Sequence, residues 1–423
     1  MYTICETFVG AGGSHLGFQN EGFESKYVND FSHVAIETLL KNNPKIKKTA
    51  IVDETDIVDV NPKDILNETK LAPGELDVLF GGIVCKGFSL AGNRSPNDER
   101  NYYYRKQLEF VSVLKPKVSI IENVPGIRNA KVLSSNASEE LKNKINNLWQ
   151  SLDNYKGKKA QLRKENKITK EFEEKGKVIK KKKNKMLRYL KKNNYLISVM
   201  DDILRLYDEL GYTVNYKILN AACYGAATKR ERMIIVAVRN DIDIKYEYPK
   251  AEYGDEKFIK KYKDFYDLKK TYKPLRTVND ALSTIDYSNK KDIDNKPMNH
   301  APKTVERFKY IPEGDNIANH MDELPEDLKI SKFYSRGCTM RLDGNKPSPT
   351  LVPGHSNFPL HPKEHRSITV REAAAITGFP NDYIFVGNHT QRCEEVGNAV
   401  PPALSQAIAK SVKQLLNKYY NKN

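Results

Sequence analysis

Short apolar runs alternate with helical patterns along the first 240 residues of the chain. The runs at 4–8, 76–80 and 118–121 have the length and composition of buried strands. Residues 34–41 and 108–114 space their apolar side chains at helical intervals and separate these strands. Further strands are expected at 25–30, 50–52, 212–218 and 233–238. Strands that alternate with helices predict an α/β fold built on a doubly wound, mostly parallel sheet.

Beyond residue 240 the pattern changes. From about 241 to 364 the periodicity gives way to prolines, tyrosines and lysines, which predicts a smaller, irregular domain. Residues 403–416 return to an amphipathic helical pattern. We therefore predict a first domain formed by residues 1–240 and 385–423, and a second domain formed by residues 241–384.

A basic segment interrupts the first domain. The chain has a net charge of +16, and residues 141–192 hold 17 Lys and 2 Arg against 5 acidic residues, a net of +14. The positive charge therefore belongs to one segment and does not describe the whole protein. Apolar residues at helical spacing on both sides of Gly157 predict a basic helical hairpin within 135–193 that turns near this glycine. Contact with DNA phosphates, binding of a partner and solubility alone stay open as its role.

The composition also bears on the cellular compartment. The five scattered cysteines fit neither a disulfide framework nor a zinc site, so no metal is expected. No apolar run is long enough to cross a bilayer, and Met1 leads directly into a strand pattern without a signal peptide. These features predict a cytoplasmic protein.

Cys85 is the first candidate for chemistry. It follows the strand pattern at 76–80 and the pair Gly81-Gly82, which places it at the carboxyl edge of the sheet, where open α/β sheets bind ligands. A thiol there becomes a nucleophile if a cation or a helix N-terminus lowers its pKa. A lone cysteine is more commonly a small buried side chain, so this stretch alone leaves both interpretations open.

A glycine-rich turn near the start of the chain indicates a nucleotide-like cofactor. Gly10, Gly12 and Gly13 let the backbone approach a ligand, and Asp30, at the end of the second strand, is placed to accept ribose hydroxyls. A nicotinamide is disfavoured because His15 stands where the third glycine of the G-x-G-x-x-G pattern belongs.

Four further stretches carry a family resemblance. They are Glu122-Asn123-Val124-Pro125-Gly126, Tyr224-Gly225 leading to Lys229-Arg230-Glu231-Arg232, Arg366 to Ala374, and Val396-Gly397-Asn398-Ala399-Val400. With the glycine-rich turn and Cys85, and in this order, they resemble the motifs of the cytosine-5 DNA methyltransferases. The resemblance covers residues 1–130, 195–245 and 336–415, which is most of the chain.

The resemblance implies S-adenosylmethionine as the cofactor. Asp30 would take its ribose, although the family usually has Glu at this position, and Asp56 with Ile57 would meet its adenine. The cofactor-binding residues implied in this way are Phe8, Gly10, Gly12, Gly13, Asp30, Asp56, Ile57, Gly82, Tyr103, Asn398 and Val400.

The resemblance also implies a reaction. Cytosine C5 is a poor nucleophile, so the Cys85 thiolate would add at C6, and Glu122 would stabilise the adduct at N3. Arg232 would hold cytosine O2, with Arg230 on the same face of its strand. The base must leave the duplex for this chemistry. Residues expected to contact DNA are Lys86, Ser89, Arg336 and Arg341, and none can be assigned to a particular base.

Several residues near the expected site depart from the family pattern. They are Val84 in place of Pro, Lys86 in place of Gln, Cys223 in place of Asp, and Ala227-Thr228 in place of Pro-Gln. Loss of the proline removes a fixed φ from the segment around Cys85. Because Cys85, Glu122 and Arg232 are all kept, we expect an active but divergent enzyme.

Other functions stay open on the sequence alone. They are a tRNA cytosine-5 methyltransferase, a relative that binds DNA without transfer and, more remotely, a nicotinamide oxidoreductase. The long region between 241 and 364 favours double-stranded DNA as the partner. A cognate restriction endonuclease is left open, and we expect a monomer associated with the nucleoid. The target sequence does not follow from composition.

Overall fold

A computed structural model describes residues 1–83, 95–165, 167–330, 337–354 and 357–422. The strands are β1 (Thr3–Thr7), β2 (Glu24–Asn29), β3 (Ile51–Asp53), β4 (Val78–Gly82), β5 (Val118–Asn123), β6 (Lys131–Leu133), β7 (Leu196–Ser198), β8 (Tyr212–Asn220) and β9 (Glu231–Arg239). The helices are α1 (Gly13–Asn20), α2 (His33–Asn42), α3 (Ile46–Thr49), α4 (Pro62–Thr69), α5 (Tyr103–Leu114), α6 (Glu139–Lys164), α7 (Lys170–Lys192), α8 (Val199–Glu209), α9 (Glu256–Lys261), α10 (Val278–Leu282), α11 (Pro302–Phe308), α12 (Val370–Thr377), α13 (His389–Asn398) and α14 (Pro402–Tyr420).

Seven strands form one sheet in the order β3-β2-β1-β4-β5-β9-β8. The first five of these are parallel, and β9 runs antiparallel between β5 and β8. The prediction of a mostly parallel α/β sheet is confirmed. Strand order reverses between β1 and β4, so the crevice outside their carboxyl ends is the place where such folds bind ligands.

The central strands β4 and β5 are buried on both faces, which explains their continuous apolar runs. Val78 and Phe80 of β4 lie in one apolar cluster, and Leu79 between them lies in another. The same alternation occurs along β5, where Ile120 and Ile121 enter opposite clusters. Helices α1 and α14 cover the first face, and α5 and α8 cover the second.

Helix α14 closes the first domain by packing directly on α1. A Cβ added at Gly17 would lie 2.1 Å from Ser405 Oγ and 2.4 Å from the backbone nitrogen of Gln406. Only a glycine therefore allows the two helices to approach this closely. The predicted C-terminal helix therefore lies against the N-terminal part of the chain, and its assignment to the first domain stays a prediction.

The basic segment forms the predicted helical hairpin from α6 and α7, which rises from the two-stranded sheet β6-β7. The predicted position of the turn is wrong. Gly157 lies inside α6, and the chain reverses between Glu165 and Thr169, where the Thr169 side chain caps α7. A single glycine is tolerated within a long helix at a small cost. In the described part of the chain, no helix is both long and apolar enough to cross a membrane.

The chain beyond β9 is irregular, as predicted, but its first part packs on the sheet. Tyr246, Ala251 and Phe265 belong to the same apolar cluster as β4 and β5. Residues from Val278 to Val396 build a separate cluster around α10, α12 and α13. The predicted division at residue 241 is therefore not where the packing changes, and the division into two domains stays a prediction.

We expect replacement by alanine to have opposite effects on stability at Gly17 and at Gly157. Gly17→Ala should destabilise the fold by about 1–3 kcal/mol because α1 and α14 must separate. Gly157→Ala is the control, since nothing lies within 4 Å of an added Cβ there. It should stabilise the fold by about 0.5–1 kcal/mol through better helix propensity. Urea unfolding of both variants measures this, and a Gly17→Ala variant as stable as the wild type would contradict the packing.

Candidate active site

A buried ion pair lies at the carboxyl end of β5. Glu122 pairs with Gly82 of β4 on one side and with Ile234 of β9 on the other. Arg232, near the start of β9, places its Nε 2.7 Å from Glu122 Oε1. Both side chains are at most one-tenth exposed. The structure thus brings together two of the predicted catalytic residues, in a charge-assisted contact.

Burial and charge act in opposite directions on Glu122. Burial raises the pKa of its carboxyl above the ordinary value, and the positive charges of Arg232 and Arg230 offset part of that rise. The result is a carboxyl that holds its proton more readily than an exposed glutamate. A buried carboxyl with a raised pKa is suited to general acid catalysis.

Arg230 connects this ion pair to distant parts of the chain. Its guanidinium is buried and donates to the carbonyl oxygens of Leu351, at 3.2 Å, and Asn398, at 3.1 Å. The positive charge lies close enough to Glu122 to affect its pKa. Arg230 therefore ties the segments that contain Leu351 and Asn398 to the chain just before β9.

Asn123 is a site residue to which sequence reasoning assigned no role. Its Nδ2 donates to the carbonyl of Ile83 at 3.1 Å, and its Oδ1 accepts from the backbone nitrogen of Val124 at 2.8 Å. The side chain therefore fixes the last described residue before the segment that contains Cys85. Its position directly after Glu122 was the available signal. Cys85 itself lies outside the described residues.

The glycine-rich turn has the backbone conformation that its sequence predicts. Gly10 and Gly12 have φ values of 55° and 88°, in the left-handed region that favours glycine. Asp30 accepts from the backbone nitrogens of Gly10 and Ser32, both at 2.9 Å. Burial raises the pKa of this carboxyl, although both hydrogen bonds lower it. Asp30 thereby ties the end of β2 to the turn after β1.

The C-terminal motif folds back onto this turn. A Cβ at Gly13 would lie 2.3 Å from the carbonyl oxygen of Val400, so the two segments touch. The hydroxyl of Tyr383 donates to the carbonyl of Ala11 at 2.6 Å. Val400 is buried, while the side chain of Asn398 is exposed. Residues almost 400 positions apart in sequence therefore form one surface.

The remaining predicted cofactor residues lie around the same edge. The rings of Phe8 and Tyr103 are 5.8 Å apart, and Phe8 has a φ of 54°. A Cβ at Gly82 would lie 3.3 Å from the Phe8 carbonyl and 3.8 Å from Glu122 Oε2. Asp56 is exposed and close enough to raise the pKa of Tyr103, while Ile57 is buried. The glycine-rich turn and the ion pair are thus neighbours.

Comparison with known proteins decides the family. The sequence matches the profile of the C-5 cytosine-specific DNA methylases over residues 2–166 and 185–414. The chain belongs to this family. Similar proteins include the Type II methyltransferase M.NgoFVII of Neisseria gonorrhoeae, which is 28% identical over 99% of this chain and 88% of its own length. The Type II methyltransferase M.Eco47II of Escherichia coli is also 28% identical, over 99% and 80%.

Solved structures agree with the fold of this methylase. A chain described as a DNA modification methyltransferase encoded within an Escherichia coli prophage superposes with a TM-score of 0.62 at 21% identity. The alignment covers 99% of this chain and 100% of that one. The family match and the similar Type II methyltransferases show that the protein is a DNA cytosine-5 methyltransferase, and the family implies S-adenosylmethionine as the methyl donor.

One residue predicted to contact DNA, Arg341, is buried within the methylase. Arg341 is only 4% exposed, and its guanidinium is surrounded by backbone carbonyl groups. It donates to the carbonyl oxygens of Ile311, His361, Glu364 and Phe308. These bonds use the donors that a base would need, so the structure disfavours the predicted contact between Arg341 and DNA. Lys86, Ser89 and Arg336 lie outside the described residues.

The described departures from the family pattern have structural roles. Cys223 is buried beside Tyr266, whose hydroxyl donates to its sulfur at 3.3 Å. Burial raises the pKa of this thiol to about 11, so Cys223 is not an alternative nucleophile. Ala227 accepts from the backbone of Ser348, and Thr228 donates to the carbonyl of Pro349 at 3.1 Å. Val84 and Lys86 lie outside the described residues.

We expect Arg341→Met to affect stability and not target recognition. Several buried carbonyls would lose their donor, so the free energy of unfolding should fall by on the order of 3 kcal/mol. Arg163→Met, on an exposed position of α6, is the control and should change little. Chemical unfolding measures the first effect, and sequencing of methylated sites measures the second. Full stability combined with an altered target would restore Arg341 as a DNA contact.

Proposed function

We propose that this methyltransferase acts through a covalent bond between Cys85 and C6 of a flipped-out cytosine. The Glu122–Arg232 ion pair beside Gly82 is the observation that carries the proposal. Glu122 lies at the end of β5, and Cys85 is the third residue after Gly82, the last residue of the neighbouring β4. The thiol of Cys85 and the carboxyl of Glu122 would therefore face the same base.

Each residue has a defined part in the proposed reaction. The Cys85 thiolate forms a bond to C6, and Glu122 gives a proton to N3 as electron density moves to C5. Arg232 donates to O2 and stabilises the charge that develops on the ring. S-adenosylmethionine supplies the methyl group that C5 takes up. Loss of the C5 proton to a base, return of the N3 proton to Glu122 and expulsion of the Cys85 thiolate restore the aromatic ring.

The residues at the glycine-rich turn fit this cofactor. Gly10 has open space beside its Cα, so a ligand can reach the backbone there. Each carboxylate oxygen of Asp30 accepts one backbone hydrogen bond and keeps a lone pair for a ribose hydroxyl. Phe8 and Tyr103 offer aromatic surface next to Gly82. We assign ribose contact to Asp30, and adenine contact to Asp56 and Ile57.

The cellular role is part of the same proposal. The similar proteins are Type II methyltransferases, which supports a partnership with a restriction endonuclease. We propose that the chain acts as a monomer on nucleoid DNA. Target recognition is assigned to the region after β9.

The covalent step predicts a trapped complex. A duplex that carries 5-fluorocytosine at the target should remain bound to the wild type after denaturation, because the ring cannot lose fluorine as it loses a proton. Formation of the complex should require S-adenosylmethionine. Cys85→Ser should give no trapped complex, while Cys223→Ser is the control and should still be trapped. Trapping by Cys85→Ser would assign the nucleophile to another residue.

Glu122 should contribute to methyl transfer by donating a proton. Glu122→Gln keeps the size of the side chain but removes the acid, so single-turnover methylation should fall by roughly 10²-fold while DNA binding stays near normal. The wild-type rate should fall as pH rises through the raised pKa of Glu122, and the variant should lose this dependence. A variant with a near-normal rate would refute the role of Glu122 as the acid.

A further inference from the structure

The last four turns of α7 carry an unbalanced positive charge. Between residues 178 and 192 the sequence has seven Lys, one Arg and no acidic residue. Seven of these eight cations are exposed. Four of the exposed ones follow one another at intervals of four, three and four residues, which places them along one side of the helix. We call them the cationic stripe. Its members are Lys181, Lys185, Arg188 and Lys192.

The opposite side of α7 explains why the stripe faces solvent. Leu190 is buried against α6, and Ile179 and Met186 pack against the same apolar cluster. These residues lie about half a turn away from the stripe. The packing of the hairpin therefore fixes the stripe on the outer face of α7, where it cannot contact α6.

Other lysines of the hairpin are neutralised within it. Four of these lysines each form an ion pair with a glutamate that lies three or four positions earlier in the same helix. These pairs are Lys142–Glu139, Lys144–Glu140, Lys175–Glu171 and Lys177–Glu174. Within the described residues, no member of the cationic stripe forms an ion pair with a carboxylate. Like charges at these spacings destabilise a helix, so an anion outside the chain would stabilise it.

The hairpin emerges at the edge of the sheet that contains the active site. The chain passes from the carboxyl end of β5, where Glu122 lies, through β6 into α6, and returns through β7 into α8. At its base, the backbone nitrogen of Leu133 donates to the carbonyl of Pro96 at 2.8 Å. Asn97 Nδ2 donates to Asn146 Oδ1 of α6 at 2.9 Å. The hairpin is therefore anchored to the chain just after the Cys85 segment.

We propose that the cationic stripe binds phosphates of the DNA that flanks the target cytosine. The inference rests on double-stranded DNA being the substrate of the proposed function. At 1.5 Å per residue the stripe is about 16 Å long, which matches roughly five base-pair steps along one strand. Regularly spaced cations on a rigid helix suit a regular line of phosphates. Such contacts position the protein and carry no sequence information.

Two quadruple variants of the full chain separate local contact from overall charge. The stripe variant replaces Lys181, Lys185, Arg188 and Lys192 by Gln. The control variant replaces Lys142, Lys144, Lys175 and Lys177 by Gln, which removes the same formal charge from ion-paired positions. The affinity for a target duplex is measured against salt concentration, with a shuffled duplex and a double-stranded RNA of equal length alongside.

We expect the stripe variant to show a flatter dependence of log affinity on log salt. Each lost phosphate contact reduces the slope by about 0.9, so four contacts would reduce it by roughly 3.6. Target and shuffled duplexes should be weakened alike. The control variant should keep a slope within about one contact of the wild type. Methylation at saturating DNA is measured separately. If the wild type transferred no methyl group, the proposed function would be refuted, but the salt slopes would still report whether the stripe contacts phosphates.

Three results would overturn the inference. Equal slopes for the wild type and the stripe variant would show that the stripe does not contact phosphates. Equal losses in both variants would assign the effect to net charge alone. A loss confined to double-stranded RNA would assign the stripe to a different nucleic acid.

Discussion

Burial of an acid against an arginine at the end of a strand is the constraint on which the rest of the site depends. Glu122 lies on β5, between β4 and β9, so its backbone is held from both sides. Burial favours the protonated carboxyl, and Arg232 limits that preference. A carboxyl poised in this way can both give and recover a proton. The sheet therefore fixes the position of the carboxyl to which we assign the proton transfer.

The site also requires segments that are distant in sequence to meet at the carboxyl edge of the sheet. Gly13 leaves room for the carbonyl of Val400, and Arg230 donates to the carbonyl of Asn398. Helix α14 can return to this place because Gly17 allows it to pack closely on α1. The contacts at the glycine-rich turn therefore depend on the C-terminal part of the chain.

The sequence pattern predicted those features of the fold that depend on residues close together in the chain. Alternating apolar runs predicted the sheet, because strands buried on both faces have few alternatives, and Glu122 and Arg232 were found from short motifs at strand ends. The burial of Arg341 could not be predicted, because its backbone partners lie up to 33 positions away in sequence. The hairpin turn was misplaced because the long helix α6 accommodates Gly157 in its interior, and α7 begins only after Thr169, whose side chain caps it. The role of Asn123 depends on Ile83, which only the folded sheet brings near.

The most direct test of this account is the identity of the modified base. Duplex DNA treated with the purified chain and S-adenosylmethionine would be digested to nucleosides and examined by mass spectrometry. The account predicts 5-methyl-2′-deoxycytidine as the product of the wild type, and much less of it from a protein in which Arg232 is replaced by Met. A methyl group on an exocyclic nitrogen, or on RNA alone, would contradict an active site built from Glu122 and Arg232 for transfer to cytosine C5.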